Sequence, residues 1–175
     1  LLPRDAAVKL IRPEFLQGHD AEQVQQRFRR EARSLAELRS RNTVSILDYG
    51  VARDGSLFLV MDLLEGLDAR QMIELGGPMP ASRVVFLMIQ VCRSLAEAHG
   101  LGLVHRDLKP GNIFISKAAD EVDIVKVLDF GLVHDARTTG AANNAPAAAR
   151  DRAVGTPGYM APEQLLGGDV TPATD

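Results

Sequence analysis

The chain has 175 residues, 46% of them hydrophobic and 25% charged, which excludes a fibrous or disordered polymer and leaves enough apolar material for a packed core. Its net charge of −3 gives no field that would collect nucleic acid or an anionic membrane. One cysteine, Cys92, rules out an internal disulfide, and its place in the apolar stretch FLMIQVCRSLAEA predicts a buried, inert thiol.

In chain order, DAAVKLI is short, apolar and partly β-branched, and predicts a strand carrying Lys9. A helix follows, opened by Asp20 as N-cap with Gln23 in capping-box spacing. Val24, Phe28, Leu35 and Leu38 form its apolar stripe, and Glu31 falls on that stripe, so a carboxylate is expected to face inward. Arg27, Arg29, Arg30 and Arg33 of the same helix read as a solvated basic face. TVSILDYGV and SLFLVMDLL flank the Asp-Gly turn of ARDG and predict a β-hairpin. After GGPMP, an amphipathic helix is expected over residues 82–100 with glycine in the C-cap role.

GLVHRD and NIFIS are expected to be short strands around a loop, and DIVKVLDFG a strand ending in a glycine turn. Residues 135–152 lack hydrophobic periodicity and read as a loop, and GTPGYMAPEQLL returns to order as a turn before a short helix. A strand-rich first part joined to a helix-led second part predicts an α+β architecture of two lobes with a cleft between them. No apolar run is long enough to span a bilayer, and the opening LLPRD lacks a signal-peptide layout, so the segment is expected to be cytoplasmic, without membrane contact.

HRDLKPGNIF places a carboxylate, an ammonium and a carboxamide within six positions. Phosphoryl transfer needs a proton acceptor for the attacking hydroxyl, cations near the phosphates and oxygen ligands for a hard metal ion. Asp107 supplies the first, Lys109 the second, and Asn112 with Asp129 of LDFGL the third. HRDLKPGN, DFG and APE, in this order, match the catalytic loop, the metal-binding turn and the end of the activation segment of protein kinases. The chain resembles a Ser/Thr protein kinase, and AVKLIRPEF followed by RFRREARSLAEL resembles the bacterial eukaryotic-like, Hanks-type branch.

The resemblance implies a two-lobed kinase fold, with residues 1–64 as partial N-lobe and hinge and 65–175 as partial C-lobe. It implies ATP and Mg²⁺ as cofactors and Ser/Thr hydroxyls of proteins, the chain itself included, as acceptors. Lys9 would contact the α- and β-phosphates and be held by Glu31. Ala7 and Phe114 would line the adenine pocket, Met61 would be the gatekeeper, and the backbones of Asp62 and Leu64 would bond adenine. His105 would brace the DFG turn rather than act as a base, while His19, His99 and His134 have no metal-ligand spacing. Arg106 beside Asp107 implies regulation through a phosphate on the activation segment. Thr138 and Thr139 are the candidate autophosphorylation sites, Asp151 a candidate phosphate substitute, and Thr156 belongs to the same segment.

Two family parts are absent. The eight residues before Lys9 contain no glycine, so the Gly-rich loop expected over ATP is not among them, and the chain, expected to be a window of a longer protein, stops at Asp175, which resembles the aspartate opening the central helix of the large lobe. Glu163 is therefore expected to lack its arginine partner, and the chain to represent roughly two thirds of a kinase domain that alone folds poorly and has little activity. A pseudokinase scaffold and a small-molecule phosphotransferase are the competing readings. The first predicts a missing catalytic group, which the chain does not show; the second accounts for neither LKP nor GTPGYMAPE.

Overall fold

The computed structural model describes residues 4–11, 21–118, 121–130 and 156–175. Two three-stranded antiparallel sheets carry the architecture. The first contains β1 (Ala6–Ile11), β2 (Ile46–Val51) and β3 (Leu57–Asp62), in the order β1-β3-β2. The hairpin between β2 and β3 forms at the expected ARDG turn, where Gly55 takes φ 85°. Alternation along β1 turns Val8 and Leu10 outward and Ala7, Lys9 and Ile11 inward, opposite Met61, Leu59 and Leu57 of β3. Lys9 thus lies on the inner face by strand periodicity alone.

The helix α1 (Ala21–Ala36) packs against this sheet through Val24, Phe28, Ala32 and Leu35, all buried, while Arg29, Arg30 and Arg33 remain exposed. The expected N-cap Asp20 lies outside the described residues.

The second sheet joins β4 (Gly66–Asp68), β5 (Ile113–Ala118) and β6 (Glu121–Val127). Gly66 is required where β4 crosses β5, because a Cβ there would lie 2.2 Å from the Ile115 carbonyl oxygen. Between β4 and β5 run α2 (Ala69–Gly76) and the long α3 (Ala81–Gly100). The sequence reading missed α2, a short helix whose signal was the capping box of Asp68 with Gln71. Leu87, Val91, Leu95 and Ala98 of α3 join Val125 and Val127 of β6, Phe28 of α1 and Leu57 of β3 in one continuous core.

Three expectations are corrected. GLVHRD forms no strand: the N–H groups of His105 and Arg106 go to the Asp175 carboxylate, not to a sheet ladder. The left-handed glycine after α3 is Gly102, φ 74°, rather than Gly100, which is the last helical residue. Cys92 is exposed on the outer face of α3, because the inward stripe falls on residues 87, 91, 94, 95 and 98. Glu163, expected to lack its arginine partner, accepts the Thr174 hydroxyl on Oε1 at 2.6 Å. That bond holds the Glu163 carboxyl below the ordinary carboxylate range. The closing segment is as expected, with a 3₁₀ turn at Pro157–Tyr159 before α4 (Pro162–Leu166). No helix among the described residues is long and apolar enough to cross a membrane.

Candidate active site

Residues 105–112 lie between α3 and β5, and the structure draws Asp107, Lys109, Asn112 and Thr156 into one cluster. Lys109 Nζ donates to Asp107 Oδ2 at 2.6 Å and to Thr156 Oγ1 at 2.8 Å. The Thr156 N–H reaches Asp107 Oδ1 at 3.3 Å. Asn112 Nδ2 donates to the Asp107 carbonyl at 2.8 Å and to its Oδ2 at 3.2 Å. The carboxylate is thereby oriented from three sides, and Asn112 spends its amide nitrogen on Asp107, so its amide oxygen is the atom that a hard metal ion would take. Thr156, expected among the regulatory residues, lies within this cluster around Asp107.

The loop is anchored from beneath. His105 is fully buried; its Nε2 donates to the Leu128 carbonyl at 2.7 Å and its Nδ1 accepts the Asp107 N–H at 3.3 Å. Both bonds together require a neutral imidazole, and burial lowers the His105 pKa below its usual 6.5. Its ring also meets Phe130, with centroids 4.8 Å apart, which is the brace under the DFG turn that the resemblance implied. The Asp175 side chain, 1% exposed, takes the N–H groups of His105 and Arg106 at 2.7 Å each and bonds His99 Nε2 at 2.8 Å. Gln164 of α4 donates to the Arg106 carbonyl at 2.7 Å, supporting the residue that carries φ 67°. Gln164 and His99 were missed as loop supports; each looks like an ordinary surface residue until the chain brings it under the loop.

Above the loop, Asp129 is held in a left-handed conformation, φ 55°, and its Oδ1 pairs with Lys9 Nζ at 2.8 Å. This corrects the expected Lys9–Glu31 pair, which does not form. The ammonium on the inner face of β1 meets the carboxylate that the turn after β6 presents to it. Glu31 instead borders a cavity of about 330 Å³ between α1 and the catalytic loop, lined also by Arg30, Ser34, Leu103, Arg106 and Phe130. Burial raises the Glu31 pKa above the usual value, against the fields of Arg106, Arg30 and Arg27.

Of the expected adenine-pocket residues, Ala7 stands directly across from Met61 in the β1–β3 ladder, and Met61 shares a mainly apolar cavity with Lys9, Leu59, Asp129 and Phe130. Asp62 ends β3, bonded through its carboxylate to Arg4, and Leu64 lies in the link to β4. Phe114 belongs to the other sheet, paired with Asp68 and Lys126. Thr138, Thr139, Asp151, His19 and His134 lie outside the described residues. Among the described residues no three His, Cys, Asp or Glu side chains gather around a common point. A two-ligand set of one carboxylate and one amide oxygen, completed by phosphate oxygens, is how Mg²⁺ is ordinarily bound, and Asp129 with Asn112 fits it.

The family model described as "Protein kinase domain" matches residues 4–175. The chain is 39% identical over 175 residues to the serine/threonine-protein kinase pkn3 of Myxococcus xanthus, covering 99% of this chain and 31% of that protein. It is 42% identical over 178 residues to the serine/threonine-protein kinase PknL of Mycobacterium bovis, covering 98% of this chain and 42% of that one. The crystal structure of the Mycobacterium tuberculosis PknI kinase domain superposes with a TM-score of 0.70 at 27% identity, over 97% of this chain and 58% of that one. Rad53 in complex with AMP-PNP gives a TM-score of 0.61 at 28% identity, over 73% of this chain and 31% of that one. The chain thus spans well under two thirds of each of these relatives. On its motifs, its two-sheet architecture and this match over nearly its whole length, the chain belongs to the protein kinase domain family.

Proposed function

We propose that this chain is the catalytic part of an ATP-dependent serine/threonine protein kinase, transferring the γ-phosphate of ATP to Ser or Thr hydroxyls of proteins. The observation that carries the reading is the Asp107–Lys109–Asn112–Thr156 cluster, in which every polar partner converges on the Asp107 carboxylate. Asp107 accepts the proton of the substrate hydroxyl as that oxygen bonds to the γ-phosphorus and the bond to the bridging oxygen breaks, releasing ADP. Lys109, bound to Asp107 and Thr156, adds positive charge beside the transferred group. Lys9, on the inner face of β1, would serve the α- and β-phosphates. Asp129 and Asn112 would hold Mg²⁺, which neutralises charge on the phosphate oxygens.

Adenine would enter between Ala7 and Met61 of one sheet and Phe114 of the other, bonded by the backbones of Asp62 and Leu64 at the link between the proposed lobes, 1–64 and 65–175. That a structural neighbour holds AMP-PNP supports a nucleotide in this cleft. Arg106 and the three activation-segment residues Thr138, Thr139 and Asp151 are proposed as regulatory. The test is phosphotransfer from ATP to a generic Ser/Thr protein substrate by the complete protein with Mg²⁺. Asp107→Asn is expected to lower kcat about 10²- to 10⁴-fold while leaving nucleotide binding in place. Equal rates for the two forms would overturn the assignment of Asp107.

A further inference from the structure

Asp129 adopts a left-handed backbone without being glycine, a conformation that persists only where neighbouring structure over-determines it. Two of the ties come from the catalytic loop: the Leu128 N–H donates to the Asn112 carbonyl at 2.9 Å, and His105 donates to the Leu128 carbonyl. The third comes from an unexpected place, the connector of residues 39–44 between α1 and β2. Val127, two residues before Asp129, donates its N–H to the Asn42 carbonyl at 2.8 Å and accepts the Val44 N–H at 3.1 Å.

That connector is itself bolted to α3. Glu97 receives the Arg39 N–H on Oε1 and the Ser40 N–H on Oε2, both at 2.7 Å, which are charge-assisted bonds. Ser94, fully buried, shares a 2.6 Å hydroxyl bond with Thr43. Gln90 accepts from Asn42 Nδ2 at 2.9 Å and from the Val125 N–H at 3.1 Å, and Asn42 also donates to the Val125 carbonyl. Positions 90, 94 and 97 recur at i, i+4 and i+7, so one polar stripe of α3 grips the connector along its length. The network is buried at Asn42, Thr43, Gln90 and Ser94 and half-buried at Glu97, and a satisfied network of this kind behaves as a rigid unit.

We propose that Glu97, Ser94 and Asn42 are positioning residues for Asp129: they lock the connector onto α3, and the connector fixes the end of β6 from which the metal-ligand carboxylate projects. None of them bonds to the Asp107–Lys109–Asn112–Thr156 cluster. The inference rests on the kinase reading for the role of Asp129, and the mechanical coupling is measurable independently of it.

The experiment uses the complete protein with Glu97→Gln and, as a milder independent change, Ser94→Ala. Amide hydrogen exchange is followed at residues 39–44 and 125–130, and Mg²⁺ affinity is measured by calorimetry in the presence of ADP. The expected result is faster exchange in both segments together and a Mg²⁺ affinity weakened about tenfold, with KM for the protein substrate unchanged. Faster exchange at 39–44 alone, exchange unchanged in both variants, or unaltered Mg²⁺ affinity in a folded variant would overturn it. If Glu97→Gln does not fold, Ser94→Ala decides the matter by the same criteria. Absence of phosphotransfer in the unsubstituted protein would instead strike the kinase reading, leaving exchange and calorimetry to judge the coupling.

Discussion

The catalytic loop and the strand–helix pair above it are held in opposite ways. From His105 to Asn112, buried or half-buried groups bond inward to Asp175, Leu128, Gln164 and Thr156, so the loop is shaped by the fold itself. Lys9 and Asp129, at 39% and 35% side-chain exposure, form an ion pair open to water, and Glu31 faces a cavity among arginines. A preorganised loop costs no rearrangement when charge develops on the transferring phosphate. A half-exposed pair exchanges partners at small cost. The loop geometry is thus built into the lower region, while above it the Lys9 side chain meets the firmly held Asp129 in contact with water.

Stability measurements on the kinase-domain unfolding transition of the complete protein separate the two regions, beginning with the largest effect. Asp175→Ala removes the acceptor for two backbone N–H groups and the partner of His99, and is expected to cost about 3 kcal/mol. A loss within experimental error would show that the loop does not depend on it.

The next effect is pH-dependent. The lowered pKa of His105 means the folded state disfavours the protonated ring. Its contribution is complete above pH 6.5 and is lost as the pH falls through the lowered value. Stability should therefore decline on acidification below pH 6.5, and His105→Phe should flatten that limb while lowering stability throughout. An acid limb of unchanged slope would place its origin elsewhere.

Lys9→Met should change stability by less than about 1 kcal/mol and yet abolish most phosphotransfer, the reverse of a loop-anchor substitution. A large fall in melting temperature would erase the contrast between the regions. Smallest is Glu31→Gln. The raised Glu31 pKa gives a contribution present below 4.5 and lost as the pH rises through the raised value, so the amide should equal or exceed the native stability at neutral pH. Destabilisation at neutral pH would show that the arginines more than offset its burial.

Much of this was legible in the residues. HRDLKPGN, DFG and APE identified the family, strand alternation placed Lys9 inward, and the stripe through Val24, Phe28 and Leu35 oriented α1. The polar positions Gln90, Ser94 and Glu97 of α3 gave no signal of their own in the sequence, because their partners come from a segment about fifty residues away.

By itself the sequence determined the family motifs and the inward faces of Lys9 on β1 and of Val24, Phe28 and Leu35 on α1, since those properties follow from side-chain chemistry and the periods of strand and helix. Only the tertiary structure decided which carboxylate meets Lys9, that Asp175 and His105 carry the loop from below, and that Cys92 lies outside the core. These outcomes depend on where the left-handed turn at Asp129 and the register of α3 place atoms from distant segments, and pairing across such distances is set by packing of the whole chain rather than by any local pattern.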